Sequence, residues 1–169
     1  MDDLTKNILW SQFGAAMDTL ENAIKACPLE VWEDQSTDAF HQYWYMAYHT
    51  IFWLDYYLSD NHKEYQPPEP FTMSEFDPEG AFPERIYTQE ELLDYLEHCR
   101  QKCRRVIGAI YDGWLKLEYD FGKKSLNYGE LLLYNLRHVQ HHSAQLNMLL
   151  RQKCDMGSPW VFRAKDSLQ

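Results

Sequence analysis

The sequence lacks the long apolar runs and the basic tracts that connect a protein with membranes or nucleic acids. No run reaches the length of a membrane span without polar groups, and residues 1–4 have neither the positive charge nor the apolar core of a signal peptide. Lysine and arginine number 16 against 26 acidic residues, which gives a formal net charge of −10 that would repel phosphate groups. We therefore expect a cytoplasmic protein that binds neither nucleic acid nor membrane.

Cysteine is also scarce, with four residues in a chain of 169. Cys27, Cys99, Cys103 and Cys154 fall on predicted helices or at their ends, which in a reducing compartment indicates free thiols. Cys99 and Cys103 share the apolar stripe of one helix, so we interpret them as small buried hydrophobic residues and not as a dithiol or zinc site. The chain is long enough to bury a core without cross-links, and we expect a single domain over residues 1–169.

Two metal-binding motifs are absent as well. The chain has no Glu-x-x-His, which carboxylate-bridged di-iron bundles carry on paired helices. It also has no His-Glu-x-x-His, the motif of zinc proteases. Any metal site in this chain therefore has to be built from other residues.

Four stretches do show apolar residues at the 3.6-residue spacing of an amphipathic helix. Four such helices on one core make a bundle, so we predict an all-α fold of the four-helix bundle type. We place a helix N-cap at Ser36, Thr37 or Asp38, and a capping box at Thr88 and Glu91. The predicted helices span residues 4–27, 39–59, 89–114 and 128–153.

Residues 60–87 form a long connection that holds five of the seven prolines. A connection of this length is unusual in a bundle, and its aromatic residues indicate that it packs down and partly covers one end. It allows helices two and three to run parallel, since even one-third extension spans the roughly 30 Å of a bundle helix. We also predict a turn at residues 118–127 around Gly122, and docking of Trp160, Val161 and Phe162 against the bundle.

The fourth helix carries polar side chains on a face that borders its apolar one. His138 and His142 are one turn apart, roughly 6 Å at their Cβ atoms, so both imidazoles can bind one ion. An unpartnered imidazole at such a half-buried position would cost of order 1–3 kcal/mol. A metal ion, a hydrogen-bond network or water in an open cleft can satisfy them. His141 points about 100° away from His138, so we place it beside the pair or on the surface.

The second helix is rich in aromatic residues and carries His49 in its middle. The helical row through Met46, His49 and Trp53 faces inward, whereas His41 lies about 80° around the helix and is left out. Taken alone, an imidazole on an apolar face is more often a hydrogen-bonded core residue than a ligand. The histidine pair on the fourth helix favours the other interpretation, three neutral nitrogen ligands with an open position for water or substrate.

The fourth helix also reads His-x-x-His-His-x-x-Gln, at His138, His141, His142 and Gln145. With the single inward histidine of helix two and the long connection after it, the chain resembles the DinB-like superfamily over nearly its whole length. That group includes thiol-dependent transferases and the mycothiol-dependent maleylpyruvate isomerase. The resemblance implies a metal triad at His49, His138 and His142, up-down-down-up connectivity and a homodimer.

One departure from that family is visible in the motif. The family commonly has Arg-Gly after the paired histidines, whereas this chain has Ser143 and Ala144. The change leaves the ligands untouched and removes an arginine that would anchor an anionic group or a dimer contact.

The resemblance implies that the ion activates a low-molecular-weight thiol such as bacillithiol toward a small electrophile. Activation of water by a hydrolase is chemically as reasonable, because three neutral ligands leave the ion its charge. Zinc or nickel are the foremost ions, with iron or manganese also open. The alternative is a non-catalytic metal-binding or stress-response module, which is favoured by the absence of an acidic residue one turn from any of the three histidines.

The remaining candidate residues lie within reach of the triad on the same two helices. We expect them to line the pocket or support the ligands, although ordinary core packing explains each one taken singly. They are Tyr45, Tyr48, Trp53, Tyr56, Asn135, His141 and Gln145.

Overall fold

Helices dominate the computed structural model, which describes residues 1–120 and 125–168. The all-α prediction is confirmed, since the only strands among these residues are two short antiparallel ones, β1 (Glu118–Asp120) and β2 (Ser125–Asn127). None of the described helices is long and apolar enough to cross a membrane. The helices are α1 (Asp3–Ala26), α2 (Leu29–Trp32), α3 (Tyr43–Tyr57), α4 (Gln89–Ala109), α5 (Asp112–Leu115) and α6 (Tyr128–Cys154).

The start of α4 lies where its capping residues predicted it, whereas two other predicted helix ends need correction. The predicted capping box of Thr88 and Glu91 begins α4. The prediction of an N-cap at residues 36–38 is wrong, because a 3₁₀ turn at Ala39–His41 intervenes and Gln42 is the N-cap of α3. The third long helix ends at Ala109 instead of residue 114, and the separate helix α5 follows. Gly122 lies outside the described residues.

Helices α3 and α4 run parallel, as the long connection predicted. The Sγ atom of Cys99 donates to the carbonyl of Ile51, and four residues further along α3 the Nζ atom of Lys102 donates to Asp55. Contacts therefore advance in the same direction along both helices. The crossover that joins them packs down through buried aromatic residues, namely Tyr65, Phe71 and Tyr87.

Helices α1 and α6 run opposite to this central pair. Near the two ends of α1, Lys6 donates to the carbonyl of Gly108, and the carbonyl of Ile24 accepts from Gln89. Along α6, contacts with α3 run in reverse order, since Asn135 contacts Leu54 and His138 contacts His49. The four long helices thus follow one another up, down, down and up around a shared apolar core.

The C-terminal tail docks differently from the prediction. Trp160 and Phe162 are 77% and 75% exposed, whereas Val161 is half-buried. Instead, the small residue Ala164 lies directly against Gly14, and its N–H donates to the carbonyl of Ser11. A glycine on α1 admits the tail backbone closely, so hydrogen bonds and a methyl group make this contact where bulky rings were expected.

Candidate metal centre

The three predicted ligands His49, His138 and His142 lie together between α3 and α6. The Nε2 atoms of His49 and His138 are 3.3 Å apart. One nitrogen from each of the three imidazoles lies within 4.8 Å of the other two. All three side chains are half-buried, so solvent reaches the cluster. It is the one group of three or more potential metal ligands among the described residues.

The register of α6 against α3 is fixed one turn before the first of these histidines. Asn135 is fully buried, and its Nδ2 atom donates to the carbonyl of Leu54 at 3.1 Å. A buried amide that finds its partner on the neighbouring helix opposes sliding of one helix along the other. Asn135 therefore sets the depth at which the imidazoles of α6 meet His49.

Hydrogen bonds orient two of the three imidazoles. The Nδ1 atom of His142 donates to Oε1 of Gln145 at 2.7 Å, which leaves its Nε2 lone pair free. The Nδ1 atom of His49 donates to the carboxylate of Glu75 at 2.8 Å, which likewise leaves Nε2 as the acceptor. Nitrogen lone pairs therefore point into the space between the rings.

Glu75 is the residue that the sequence did not reveal. Its side chain is only 5% exposed. It accepts from His49 and from the indole of Trp53 through Oε2, and from the hydroxyl of Tyr45 through Oε1. Burial opposes its ionisation, but these hydrogen bonds hold the pKa of Glu75 below its usual value. Glu75 lies on the crossover, 26 residues from its partner, so no helical spacing could have indicated it.

The imidazoles of His138 and His142 are neutral at physiological pH. Burial, followed by the neighbouring histidines, lowers the pKa of His138 to about 3. Burial and the proximity of His49 lower the pKa of His142 to about 4. Both side chains thus offer lone pairs, and not positive charges, to whatever occupies the centre of the cluster.

This donor set fits a metal ion. Two nitrogens that bind one ion at about 2.0–2.1 Å with tetrahedral angles lie about 3.3–3.4 Å apart, the separation seen between His49 and His138. A proton between those two atoms would satisfy one contact, whereas a cation satisfies all three rings. In addition, Nδ1 of His138 is buried and has no hydrogen-bond partner. Hydrogen bonds to Glu75 and Gln145 thus hold His49 and His142, whereas His138 has only the contact of its Nε2 atom with His49.

A family model described as the DinB superfamily matches residues 12–146. The chain belongs to the DinB superfamily. The matched range begins inside α1, ends in the second half of α6 and includes the whole histidine cluster. Comparisons with curated proteins and with solved structures give no match. The resemblance drawn from the sequence is thus confirmed at the level of the family.

Ser143 and Ala144, the two residues after the paired histidines, differ in burial. Ser143 is fully buried, and its hydroxyl donates to the carbonyl of Val139. Ala144 is exposed on the other side of the helix. Ala144 lies in the wall of a cavity whose lining also includes His138 and His141.

Other predicted residues are divided between support and surface. Tyr45 supports Glu75, and Tyr48 donates to the carbonyl of Thr72 on the crossover. Gln145 is exposed and orients His142. His141 is exposed, with its ring centroid 5.0 Å from that of His142, and its nitrogens lie outside the cluster.

Two cavities flank the cluster of this DinB superfamily member. One, of about 520 Å³, is a shallow opening along α6 whose walls include His138 and His141. The other, of about 560 Å³, is lined largely by aromatic rings. Trp53 and Tyr56 from the predicted set lie in its wall, together with residues that the prediction did not include. Its described wall is formed by Trp53, Tyr56, Tyr57, Phe76, Asp120, Leu126, Leu131 and Tyr134.

Proposed function

We propose that His49, His138 and His142 bind one divalent transition metal ion, and that the protein uses it to activate a low-molecular-weight thiol toward a small electrophile. The observation that carries this proposal is the convergence of three imidazole lone pairs at a solvent-accessible point in a DinB superfamily fold. Imidazole ligands suit zinc and nickel, and they suit iron or manganese less well. We propose zinc or nickel.

A metal ion held by the three histidines would act by making a coordinating group more acidic. A divalent cation at this site would lower the pKa of a coordinating thiol or water toward neutrality. The open position that three protein ligands leave is typical of catalytic and not of structural zinc sites. No fourth histidine, cysteine or carboxylate joins the group among the described residues, which supports an enzyme over a closed structural site.

A thiol is the better nucleophile for this site than water. Both oxygens of Glu75 already accept hydrogen bonds, so the nearest carboxylate does not serve as a free general base. A free thiol loses its proton near pH 8.5, whereas bulk water has a pKa near 15.7, so a thiol needs far less help. In a displacement on a halogenated carbon, the thiol sulfur donates an electron pair to the carbon, the halide leaves with the electron pair of the carbon–halogen bond, and the thiol proton passes to solvent.

The surroundings of the cluster suit two reactants. His138 forms part of the shallow cavity on α6, so a thiol can approach from that side. The aromatic cavity lies beside the cluster, and Trp53 in its wall has a ring centroid 6.3 Å from that of His49. We propose bacillithiol or a thiol of similar size for the first position.

A thiol-transfer assay tests this proposal. Zinc- or nickel-loaded protein should accelerate the reaction of bacillithiol with a chloromethyl bimane, with formation of the thioether and release of chloride. Removal of the metal with a chelator should abolish the acceleration, and readdition should restore it. Cysteine and glutathione, tested in parallel, define the thiol. Equal rates with loaded and metal-stripped protein would leave the non-catalytic metal-binding module as the function.

Replacing Glu75 with glutamine should weaken metal binding by about 10–100-fold, the usual effect of losing a carboxylate behind a histidine ligand. The glutamine side chain has an NH₂ group in place of one carboxylate oxygen. That group cannot accept the hydrogen bond from Tyr45 or, in the other orientation of the amide, those from His49 and Trp53. Competition with a metal-sensitive dye gives the affinity, and the absorption spectrum of the Co²⁺-loaded protein reports the ligand geometry. Glu79→Gln, at an exposed position of the same crossover, is the matched control.

A structural role of Glu75 would give a different result. In that case Glu75→Gln would lower the thermal stability of the metal-free protein and leave the Co²⁺ spectrum of the folded fraction unchanged. An unchanged affinity and spectrum would show that Glu75 does not position His49.

We also propose that the protein is a cytoplasmic, single-domain homodimer. The four cysteines are free thiols, as predicted, and Cys27, Cys99 and Cys103 are buried, which fits a reducing compartment. The four long helices share one core, which supports a single folding unit. Light scattering on the purified chain measures the oligomeric state directly.

A further inference from the structure

We propose that the aromatic cavity beside the histidine cluster binds an uncharged, flat aromatic molecule, which would be the electrophilic substrate. The identification of this ligand as the substrate rests on the proposed function. The binding site itself is inferred from the cavity. Its volume of about 560 Å³ lies in the range of small-molecule pockets, so it holds a ligand of one or two fused rings with space for a side group.

The walls present ring faces and edges in the arrangement that aromatic ligands prefer. Trp53 and Phe76 have centroids 5.1 Å apart, and Tyr56 and Phe76 are 4.9 Å apart, both with steeply inclined planes. Tyr57 and Tyr134 close the other side at 5.4 Å in an edge-to-face contact. A flat ring inserted among these residues continues the same edge-to-face packing.

The cavity adjoins the proposed reactive centre. The ring of Trp53 is 6.3 Å from the ring of His49, and the ring of Tyr57 is 6.3 Å from the ring of His138. Trp53 in the cavity wall also donates a hydrogen bond to the same Glu75 oxygen that accepts from His49. A molecule in the cavity is therefore separated from the histidines by a single layer of side chains.

The described wall is poorly suited to anions. Seven of its eight residues are uncharged, and five of these are aromatic. The whole chain adds a formal net charge of −10. A carboxylate or phosphate brought into this cavity would lose its hydration among aromatic and aliphatic side chains, so the favoured ligand is uncharged.

Binding of two probes that share one ring system tests the inference. Naphthalen-2-ylmethanol is uncharged and 2-naphthoate is anionic, and isothermal titration or ligand-observed NMR measures both with metal-free and zinc-loaded protein. We expect the alcohol to bind and the carboxylate to bind at least tenfold more weakly. Phe76→Ala and Tyr134→Ala, at positions 39% and 41% exposed, should each weaken binding of the alcohol by about 3–10-fold.

Matched controls separate the cavity from general surface effects. Phe162→Ala and Tyr111→Ala remove exposed rings outside the cavity and should leave binding unchanged. Leu126→Trp fills the cavity instead of enlarging it and should also weaken binding, which guards against misfolding of the alanine variants. Equal binding of the two probes, or binding unaffected by Phe76, Tyr134 and Leu126, would overturn the inference. Because the metal-free protein is measured as well, failure of metal binding would not be mistaken for failure of the cavity.

Discussion

Replacing His142 with alanine should leave the purified protein without the transition metal that we expect the wild type to retain at about one ion per chain. The side chain would provide one of the three proposed ligands, and two imidazoles alone bind a divalent ion weakly. Loss of the ligand should exceed the 10–100-fold effect of losing a supporting carboxylate. Loading with Zn²⁺ or Ni²⁺, desalting and elemental analysis measure the retained metal, and titration calorimetry gives the affinity.

His141→Ala is the control that this chain offers. His141 is the adjacent residue on the same helix, is exposed, and lies outside the cluster, so its removal should leave the metal content unchanged. Circular dichroism should show the same helix content in both variants, since neither position is fully buried. Metal retained by His142→Ala, or lost equally from both variants, would refute the proposed ligands.

Local spacing was sufficient to predict the cluster but not Glu75, the carboxylate behind His49. His138 and His142 lie one turn apart on one helix, and the inward face of α3 contains His49. The helical period alone was therefore enough to predict all three residues of the cluster. Glu75 reaches His49 through the path of the crossover, which has no period. The available signal was chemical, because a histidine ligand usually donates its second ring nitrogen to a carboxylate or carbonyl.

The fold shows the same division between local and distant information. The long helices were predictable from their apolar stripes, and Thr88 marked the start of α4. The docking of the C-terminal tail was not predictable, because aromatic residues are normally taken as the anchors of a docked segment. Here Gly14 provides the space on α1, and the small Ala164 fits it while Trp160 remains exposed. Such a fit depends on two surfaces separated by 150 residues of chain, which hydropathy does not reveal.

Asp55 is the buried charge on which the parallel arrangement of α3 and α4 depends. It is 1% exposed, and its Oδ2 atom accepts from the hydroxyls of Tyr65 and Tyr95, both at 3.0 Å. Its Oδ1 atom accepts from Nζ of Lys102, which also donates to the hydroxyl of Ser59. One carboxylate thus ties together α3, α4 and the beginning of the crossover that contains Glu75.

Replacing Asp55 with alanine should lower the free energy of unfolding by about 3–5 kcal/mol, since it leaves the ammonium of Lys102 and two tyrosine hydroxyls without their common acceptor. Urea denaturation followed by circular dichroism measures the change. Asp38→Ala, which breaks an ion pair with His41 whose side chains are 68% and 70% exposed, should cost no more than about 1 kcal/mol. If the two variants were equally stable, the Asp55 network would not be what holds the helices and crossover together. A large loss at Asp55 alone would show that this buried carboxylate contributes to holding α3, α4 and the beginning of the crossover together.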